Sequence, residues 1–311
     1  MKQEDYLYLE NKTILNDKYI VLKNVSERSN FSIVYLAKNI DTEEEVIIKE
    51  FFPKDICLRD MDKKHLICKK HYLKETFELE KKRFINEASI VDEFHPNLSI
   101  YYETFNENGT SYIVMKYYEG NDLEIYLKKN LEENWYSFIK NIIFPIIDGL
   151  SILHKKKIIH RDLKPSNILL TNDNIPVLID FGSAIYIEEK IKKIFVTPGF
   201  SPIEFYAEKA NQTEKSDIYS LTAIIYYYFL GVPPKEATSR ILEDKMEHLE
   251  NFPKFLGFFM NKNLNINAKK RDSSLKIYKR KLKFILILHR LKDIFNNTQS
   301  KWRKNEILQD L

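Results

Sequence analysis

The chain has 311 residues, of which 44% are hydrophobic and 13% aromatic, so it can bury a large core, and a disordered or fibrous protein is excluded. Its 49 basic and 45 acidic residues leave a formal net charge of +4, which does not favour a nucleic-acid-binding protein. The two cysteines, Cys57 and Cys68, are too few for a disulfide framework, so the sequence predicts free thiols in a reducing cytoplasm.

The first third of the chain predicts a β-rich region with one long helix. Short β-type segments between residues 18 and 52 predict three antiparallel strands, and residues 56–70 predict a small β insert. A helix is predicted over residues 72–94, where the apolar positions recur at steps of three and four residues. This predicted stripe consists of Leu73, Phe77, Phe84, Ala88 and Val91.

The pattern changes from strands to helices near the middle of the chain. Two more strands are predicted over residues 98–105 and 111–115. The clearest helical patterns after Gly120 cover residues 122–129, 135–155, 216–230 and 275–296. The sequence therefore predicts an α+β fold with two lobes, a small antiparallel β lobe with one main helix and a larger, mainly helical lobe.

Two motifs in the helical region carry chemistry. The run His160-Arg161-Asp162-Leu163-Lys164-Pro165-Ser166-Asn167 is followed by Asp180-Phe181-Gly182. Together they resemble the catalytic loop and metal-binding motif of the eukaryotic-type serine/threonine protein kinases, including those that occur in bacteria. The resemblance implies ATP-dependent phosphoryl transfer to Ser or Thr hydroxyls of protein substrates.

The same resemblance implies roles for individual residues. Asp162 would accept or orient the substrate hydroxyl as the catalytic base, and Lys164 would contact the transferring phosphate. Asn167 and Asp180 would bind Mg²⁺, because oxygen ligands suit a hard cation. Lys164 stands two residues after Asp162, which is typical of serine/threonine kinases rather than tyrosine kinases.

A lysine and a glutamate in the β-rich region complete the implied catalytic set. Lys49 ends a run that resembles the strand of the phosphate-binding lysine, and Glu87 resembles its partner on the helix. They are 38 residues apart (87 minus 49), because the β insert intervenes. Insertions after a similar Lys-Glu-Phe-Phe-Pro run occur in some bacterial kinases, so the chain resembles that subgroup.

The nucleotide-binding residues are likewise implied by the resemblance. Lys116 and Tyr118 would bond the adenine edge through their backbone, and Asp122 would meet the ribose hydroxyls or cap the following helix. The full implied set is Val34, Ile47, Lys49, Met115, Lys116, Tyr118, Asp122 and Leu169. Glu204 is expected to pair with Arg271, and Asp217 to anchor the catalytic-loop backbone.

The resemblance covers about residues 18–282 and predicts a division of the chain. The predicted segments are an N-terminal extension (1–17), an ATP-binding N lobe (18–115, with the insert at about 56–70), a hinge (116–121), a catalytic and substrate-docking C lobe (122–285) and a basic C-terminal tail (286–311).

Two features depart from the family pattern. Glu27, Ser29 and Ser32 stand where the family has three glycines over the phosphates, which predicts weak nucleotide binding because glycine lets backbone amides approach phosphate closely. In related kinases the arginine before the catalytic Asp, here Arg161, binds a phosphate on the activation segment. Between positions 184 and 196, however, Tyr186 is the only hydroxyl-bearing residue that could carry one. Glu188 or Glu189 is therefore expected to offer Arg161 a constitutive negative charge.

The C-terminal residues form a basic region. Residues 276–311 hold ten Lys or Arg against three acidic residues, a charge of +7, with Phe284, Leu288, Leu291 and Phe295 on one helical stripe. Such a helix either binds an anionic membrane or an acidic partner, or it packs on the core with a solvated basic outer face, and the second interpretation is favoured. The sequence contains no apolar run of about 20 residues and no secretory signal pattern, so neither export nor a transmembrane span is expected.

Three functional hypotheses remain. The favoured one is a cytoplasmic serine/threonine protein kinase that uses ATP and Mg²⁺. The alternative is a pseudokinase scaffold with weak or absent nucleotide binding, which the glycine-free loop favours and the intact catalytic set opposes. A small-molecule phosphotransferase is disfavoured, because Lys164 and the segment 197–204 resemble features that suit a polypeptide acceptor.

Overall fold

The structure is a computed structural model that describes residues 7–26, 31–91, 93–129, 134–190, 192–247, 250 and 252–309. For residue 26 and residues 293–309 the description covers the backbone alone. The chain forms two compact units. The first unit comprises Met1–Asn121 and Leu169–Ala184, and the second comprises Asp122–Ile168 and Ile185–Leu311.

The elements in chain order are β1 Ile14–Leu15, β2 Tyr19–Ser26, β3 Ser32–Asn39, β4 Glu45–Phe51, β5 Cys57–Arg59, β6 Leu66–Cys68, α1 Lys74–Ile90, β7 Tyr101–Glu107, β8 Thr110–Lys116, β9 Gly120–Asp122, α2 Leu123–Lys129, α3 Trp135–Phe138, a π-helical turn Ile139–Ile143, α4 Phe144–Lys155, β10 Ile158–Ile159, β11 Ile168–Thr171, β12 Pro176–Leu178, β13 Ile185–Tyr186, α5 Glu214–Leu230, α6 Lys254–Asn263 and α7 Leu275–Gln309.

The first unit is built on an antiparallel sheet of six strands in the order β1-β2-β3-β4-β8-β7. Apolar residues of β2, β3, β4 and β8 form its core together with Phe77 of α1. This is the predicted β lobe with one main helix. Strands β5 and β6, within the residues predicted as an insert, form a separate antiparallel hairpin.

Helix α1 is shorter than the predicted 72–94, because His71–Leu73 form a 3₁₀ turn and the backbone leaves the helical region at Val91. Phe77 is buried, and its ring lies 5.2 Å from that of Phe51. The polar Glu87 is also buried. A buried carboxylate on a core-facing stripe needs a charged or hydrogen-bonded partner.

The hairpin is attached to the sheet through polar contacts. The buried guanidinium of Arg59 on β5 binds the carboxylate of Glu50 on β4, with nitrogen–oxygen distances of 3.0 and 2.6 Å. Leu66 on β6 donates its N–H to Asn108 O at 2.9 Å. Gly109 has φ +73°, and a Cβ atom there would lie 2.9 Å from the Leu66 carbonyl oxygen, so this contact requires glycine.

The second unit is helical and is organised around α5. All residues from 216 to 227 in α5 are buried, which is typical of a central helix covered on every side. Thr213 and Ser216 cap its N-terminus reciprocally, and Gly231 ends it in the left-handed conformation with φ 69°. Helices α4, α6 and α7 all pack in this unit, as the predicted helical lobe requires.

The helix predicted over residues 135–155 is interrupted by the π-helical turn, just before Pro145 in the first turn of α4. Proline lacks the N–H for the regular ladder, and the wider turn accommodates it. In the part of the chain that the structure describes, Trp135–Lys155 is the one segment long and apolar enough to cross a membrane, and 50% of this stretch is buried inside the protein. Core helices pass the same test of length and composition.

Helix α7 packs on the second unit through a face that sequence analysis did not identify. Its buried residues are Leu275, Tyr278, Leu282, Ile285 and Leu286. Phe284 and Leu291, from the predicted stripe, are 59% and 57% exposed, and Leu288 is only partly buried. The predicted stripe is therefore not the packing face of α7. The side chain of Phe295 lies outside the described residues.

Candidate active site

The first unit brings Lys49, Glu87 and Asp180 together. Lys49 Nζ, on β4, lies 2.9 and 2.8 Å from the two carboxylate oxygens of Glu87 on α1, so the predicted contact is present. It also lies 3.1 Å from Oδ1 of Asp180. Burial alone would lower the pKa of Lys49, but the carboxylates of Asp180 and Glu87 raise that pKa above its ordinary value. The lysine therefore remains a fixed cation.

Tyr101 supports this ion pair and was not identified from the sequence. Its hydroxyl donates to Glu87 Oε1 at 3.2 Å, and its ring packs against Phe181 with centroids 6.2 Å apart. Burial raises the pKa of Glu87, and the ammonium of Lys49 offsets part of this effect. A tyrosine at the start of a strand carries no local motif, so only the fold reveals the contact.

Gly182 leaves space for the ion pair. A Cβ atom at this position would lie 3.1 Å from Glu87 Oε2, 3.2 Å from Asp180 Oδ1 and 3.5 Å from Lys49 Nζ. A side chain would therefore crowd all three groups. The glycine after Asp180-Phe181 is needed here for this close approach.

The second unit holds Asp162 in a network of hydrogen bonds. Its Oδ1 accepts from Thr197 Oγ1 at 2.8 Å, and its Oδ2 accepts from Lys164 Nζ at 2.8 Å and from Asn167 Nδ2 at 2.9 Å. A carboxylate fixed in this way can accept a proton from a hydroxyl placed beside it. The predicted catalytic-loop residues thus lie together within this unit.

Asn167 in the second unit and Asp180 in the first each offer an oxygen atom of the kind that a hard divalent cation prefers. The Nδ2 atom of Asn167 donates to Asp162 O at 2.8 Å as well as to its carboxylate, so Oδ1 is the atom left to bind a cation. Asp180 supplies carboxylate oxygens. Among the described residues no group of three or more His, Cys, Asp or Glu could hold a metal. Mg²⁺ needs no such group, because it is bound by one or two carboxylates together with substrate phosphates and water.

Asp217 anchors the backbone of the catalytic loop, as predicted. Its carboxylate accepts from the backbone N–H groups of His160 at 2.9 Å and Arg161 at 3.0 Å, and it lies 2.8 Å from His154 Nε2. Arg161 has φ 70°, an unfavourable conformation for a residue with a Cβ atom, and this hydrogen bond helps to hold it. Burial raises the pKa of Asp217, but contacts with His154 and His160 lower it more, so the net pKa is below the ordinary value.

This geometry gives a prediction for Asp217→Asn. The amide would place an N–H₂ group near backbone donors, so we expect the free energy of unfolding to fall by about 3 kcal/mol. Because the folded-state pKa is lowered, the carboxylate contributes stability that is complete above about pH 4 and is lost as the pH falls through the folded-state value. Thermal melts between pH 7 and pH 2 should show a smaller acid dependence for Asp217→Asn. An unchanged slope would contradict this assignment.

A second predicted contact, between Glu204 and Arg271, is also present. Arg271 binds the carboxylate through two nitrogens, at 2.6 and 3.1 Å, and both side chains are buried. Ser216 Oγ donates to the same carboxylate at 2.8 Å. The ion pair joins the segment that follows Thr197 to the connection between α6 and α7, so its role is structural.

Arg161 is buried near the activation segment. Its Nη2 donates to the Lys193 carbonyl oxygen at 2.5 Å. Burial lowers the pKa of Arg161, and the charge of Glu189 opposes that effect, so this carboxylate is near enough to interact with the guanidinium. The activating role of Glu188 or Glu189 stays a prediction.

The register of the first unit places several predicted nucleotide-binding residues on one sheet face. Val34 is opposite Lys49, and Ile47 is opposite Met115. Leu169 lies partly buried on β11. All of these remain predictions as ATP contacts. Ser32 begins β3, while Glu27 and Ser29 lie outside the described residues.

The backbone and cap contacts refine two further expectations. Lys116 donates its N–H to Ile100 O at 2.9 Å. Its carbonyl oxygen is therefore the backbone group that is left to accept a hydrogen bond from adenine. Asp122 Oδ1 accepts from Ile125 N at 2.8 Å, which is the helix N-cap contact of α2. Contacts of Tyr118 with adenine and of Asp122 with ribose stay predictions.

Comparison with known proteins adds independent findings. The sequence matches the protein kinase domain over residues 28–284. Calcium-dependent protein kinase 4 of Plasmodium berghei is 30% identical over 238 residues, which cover 73% of this chain and 40% of that protein. Human serine/threonine-protein kinase Nek2 is 31% identical over 211 residues, with coverages of 61% and 47%.

A cyanobacterial relative and a solved structure extend these findings. Serine/threonine-protein kinase PknA of Nostoc sp. is 28% identical over 243 residues, which cover 72% of this chain and 39% of that protein. The chain thus spans less than half the length of these curated relatives. A solved structure titled "PpkA-294 apo form" is similar with a TM-score of 0.77 at 26% identity, covering 88% of this chain and 99% of the other.

Proposed function

Because this chain belongs to the protein kinase domain family and has its fold, we propose that it transfers the γ-phosphate of ATP to Ser and Thr hydroxyls of protein substrates. The observation that carries the proposal is Asp162, which lies within hydrogen-bonding distance of Lys164, Asn167 and Thr197. The relatives named as serine/threonine kinases and the position of Lys164 support the choice of acceptor.

In the proposed mechanism the residues of the chain position and neutralise charged groups. Asp162 accepts the proton of the substrate hydroxyl as the oxygen attacks phosphorus. Lys164 neutralises negative charge on the transferring phosphoryl group. Lys49 binds the α- and β-phosphates, and Glu87 with Tyr101 fixes its ammonium in one position, which reduces the entropy lost on binding. Thr197 orients the base.

The metal site is proposed for Asn167 and Asp180. Mg²⁺ held by these two side chains would supply positive charge that offsets the negative charge developing on the phosphates during transfer. The two side chains contribute oxygen atoms, and the contacts of Asn167 with Asp162 fix which of its atoms is offered.

We also propose the division of labour between the segments. Residues 18–115 would bind ATP, with Val34, Ile47, Met115 and Leu169 around the adenine, 116–121 would serve as the hinge, and 122–285 would hold the catalytic loop and dock the protein substrate. The β5–β6 hairpin supports placement in the bacterial subgroup with an insertion. The free thiols at Cys57 and Cys68 support a cytoplasmic location.

One experiment separates the kinase from the pseudokinase scaffold. The purified chain is incubated with ATP, Mg²⁺ and a generic basic protein, and phosphosites are mapped by mass spectrometry, while melting temperatures are recorded with and without ATP and Mg²⁺. We expect a thermal shift together with phosphate on Ser and Thr. A shift without transfer, or neither signal, would favour the scaffold.

The glycine-free loop gives a further prediction. We expect Glu27→Gly with Ser29→Gly and Ser32→Gly to tighten ATP binding roughly tenfold, a change of about 1.4 kcal/mol, because closer backbone amides and the loss of one carboxylate favour the phosphates. Calorimetric titration with ATP and Mg²⁺ measures it. A Glu27→Gln variant isolates the contribution of the charge. An unchanged ATP affinity of the triple variant would contradict the view that the missing glycines weaken nucleotide binding.

We further propose that the exposed face of α7 contacts an anionic lipid surface. Phe284, Ile287 and Leu291 are each more than half exposed on this face. Residues 275–292 contain no acidic residue, and their exposed basic side chains are Lys276, Arg280, Lys283, Arg290 and Lys292. Apolar side chains flanked by Lys and Arg are typical of helices that lie in a membrane interface, and self-association would bring like charges together.

Vesicle sedimentation tests the proposed surface. We expect the chain to sediment with phosphatidylglycerol-containing vesicles and not with pure phosphatidylcholine vesicles, since each Lys or Arg near an anionic surface contributes about 1 kcal/mol. Phe284→Ser with Leu291→Ser should weaken binding, whereas Leu242→Ser, at a fully exposed apolar residue outside α7, should not. Equal sedimentation with both vesicle types would contradict the proposal.

A further inference from the structure

The two cysteines of the chain are brought face to face by the insert hairpin. In the β5–β6 pairing Cys57 is directly opposite Cys68, and Arg59 is opposite Leu66. All four of these residues lie on the side of the hairpin that faces the protein, where Cys57 is buried and Cys68 is partly buried. The sequence alone gave no register and therefore no reason to relate the two thiols.

The hydrogen-bond pattern defines the kind of pair. Lys69 donates its N–H to Ile56 O at 2.9 Å, and Asp60 donates to His65 O at 2.8 Å. In this register those are hydrogen-bonded pairs, so the alternate pair Cys57–Cys68 is a non-hydrogen-bonded one. Opposed Cα atoms in such pairs are about 4.5 Å apart, with their side chains closest together, and disulfides accept Cα separations of about 4.4–6.8 Å. A disulfide therefore requires no rearrangement of the backbone.

The surroundings of the thiols determine which reacts first. Cys68 is the more exposed of the two, whereas the Sγ atom of Cys57 donates to Pro53 O at 3.3 Å inside the protein. Burial, followed by the charge of Glu50, raises the pKa of Cys57 to about 12, and the neighbouring Cys68 adds to the shift. Burial also raises the pKa of Cys68, so both thiols are largely protonated at neutral pH, and the small thiolate fraction of the more exposed Cys68 is the one that peroxide reaches first.

The hairpin leads directly into the helix that carries Glu87. Cys68 is six residues before Lys74, the first residue of α1 (74 minus 68), and its thiol lies near enough to Glu78 of that helix for the two to interact electrostatically. In the structure Lys49 and Glu87 are already paired while the two cysteines are already opposed. A disulfide formed in this arrangement would fix the hairpin that leads into α1 while this ion pair is in place.

We propose that Cys57 and Cys68 are an oxidative modification site, at which peroxide forms a reversible intrachain disulfide that stabilises the conformation with Lys49 and Glu87 paired. The Cys68 thiolate attacks one peroxide oxygen and becomes a sulfenic acid, while hydroxide leaves and is protonated to water. The Cys57 sulfur then attacks the Cys68 sulfur and displaces a second water. Two thiols lose two electrons and two protons, and one hydrogen peroxide is reduced to two waters. A thiol reductant restores both cysteines.

Mass spectrometry of the full chain tests the site without reference to activity. The chain is treated with hydrogen peroxide, alkylated and digested without reduction. We expect a linked peptide pair, lighter by two hydrogen atoms than the sum of the reduced peptides, that disappears after dithiothreitol. Sulfinic acid at Cys68 with Cys57 still alkylated, or disulfide-linked dimers on a non-reducing gel, would overturn the proposal.

The effect on α1 rests on the proposed kinase function and is measured separately. Oxidised wild type is expected to melt at a higher temperature than reduced wild type and to retain at least its phosphotransfer rate. Cys57→Ser and Cys68→Ser are the matched controls, since serine is close to cysteine in size and neither variant can form the intrachain disulfide. Peroxide should therefore raise the melting temperature of neither variant. A linked protein that loses activity would contradict the stabilised pair. A linked, more stable protein without any transfer in either state would instead count against the kinase assignment alone.

Discussion

The substitution Asp162→Asn is expected to lower kcat for phosphoryl transfer by about 10²–10⁴-fold, the usual contribution of a general base. The amide retains an oxygen for Thr197 but can neither accept the substrate proton nor carry the charge that faces Lys164, both of which depend on the carboxylate. Initial rates with saturating ATP and a protein acceptor measure the effect.

A matched control distinguishes loss of the base from loss of structure. Asp162→Asn should keep the melting temperature and the ATP affinity close to those of wild type, because Asp217 and not Asp162 anchors the loop backbone. Thr197→Val removes the hydrogen bond to Oδ1 and leaves the base in place, so a smaller loss in kcat is expected. A loss of less than about fivefold for Asp162→Asn would exclude its role as the general base.

The substitution Lys49→Met is expected to lower kcat/KM by about 10²–10³-fold, because it removes a fixed positive charge that stabilises the negative charge developing on the phosphates. It also leaves the buried Glu87 without the cation that lies 2.8 Å away. Since that ammonium offsets the effect of burial, its removal should raise the pKa of Glu87 further, and the melting temperature should fall.

A double-mutant comparison tests whether Lys49 and Glu87 act as one unit. Glu87→Gln keeps the lysine near Asp180, so roughly a tenfold loss in kcat/KM is expected. Lys49→Met combined with Glu87→Gln should then cost no more than Lys49→Met alone, because the glutamate acts through the lysine. Losses that multiply would show that Glu87 has an independent role.

Sequence patterns identified the elements and motifs because both are local. The spacing of apolar residues predicted the strands around Lys49 and the helix α5, and the two motifs identified Asp162 and Asp180. Ends of elements were less predictable. Helix α1 stops at Ile90, and among the described residues of its last predicted turn Val91 is only partly buried, whereas Glu93 and Phe94 are exposed.

Contacts between distant segments were not accessible from local patterns. Tyr101 beside Glu87, and Arg59 beside Glu50, depend on how the helix and the insert meet the sheet, which no residue spacing encodes. The packing face of α7 was not identified for the same reason. Its sequence offers two apolar stripes, and only the surface of the second unit selects the one with Tyr278 and Leu282.

Within the site, too, the motifs were predictable from the sequence, whereas the contacts that depend on three-dimensional geometry were not. The N-cap contact of Asp122 and the use of the Lys116 N–H within the sheet follow from hydrogen bonds that the sequence leaves open. Ten residues separate Cys57 from Cys68 in the sequence (68 minus 57, less one), and the two become neighbours only through the register of the hairpin. Register is set by pairing along both strands, not by either cysteine.

The most direct test of the account is the transfer of labelled γ-phosphate from ATP to a seryl or threonyl hydroxyl by the purified wild-type chain, followed over time beside Asp162→Asn. We expect steady incorporation of label by wild type in the presence of Mg²⁺ and almost none by the variant. Equal incorporation by both proteins, or nucleotide bound by wild type with no label ever reaching a hydroxyl, would contradict the assignment of Asp162 as the base of an active kinase.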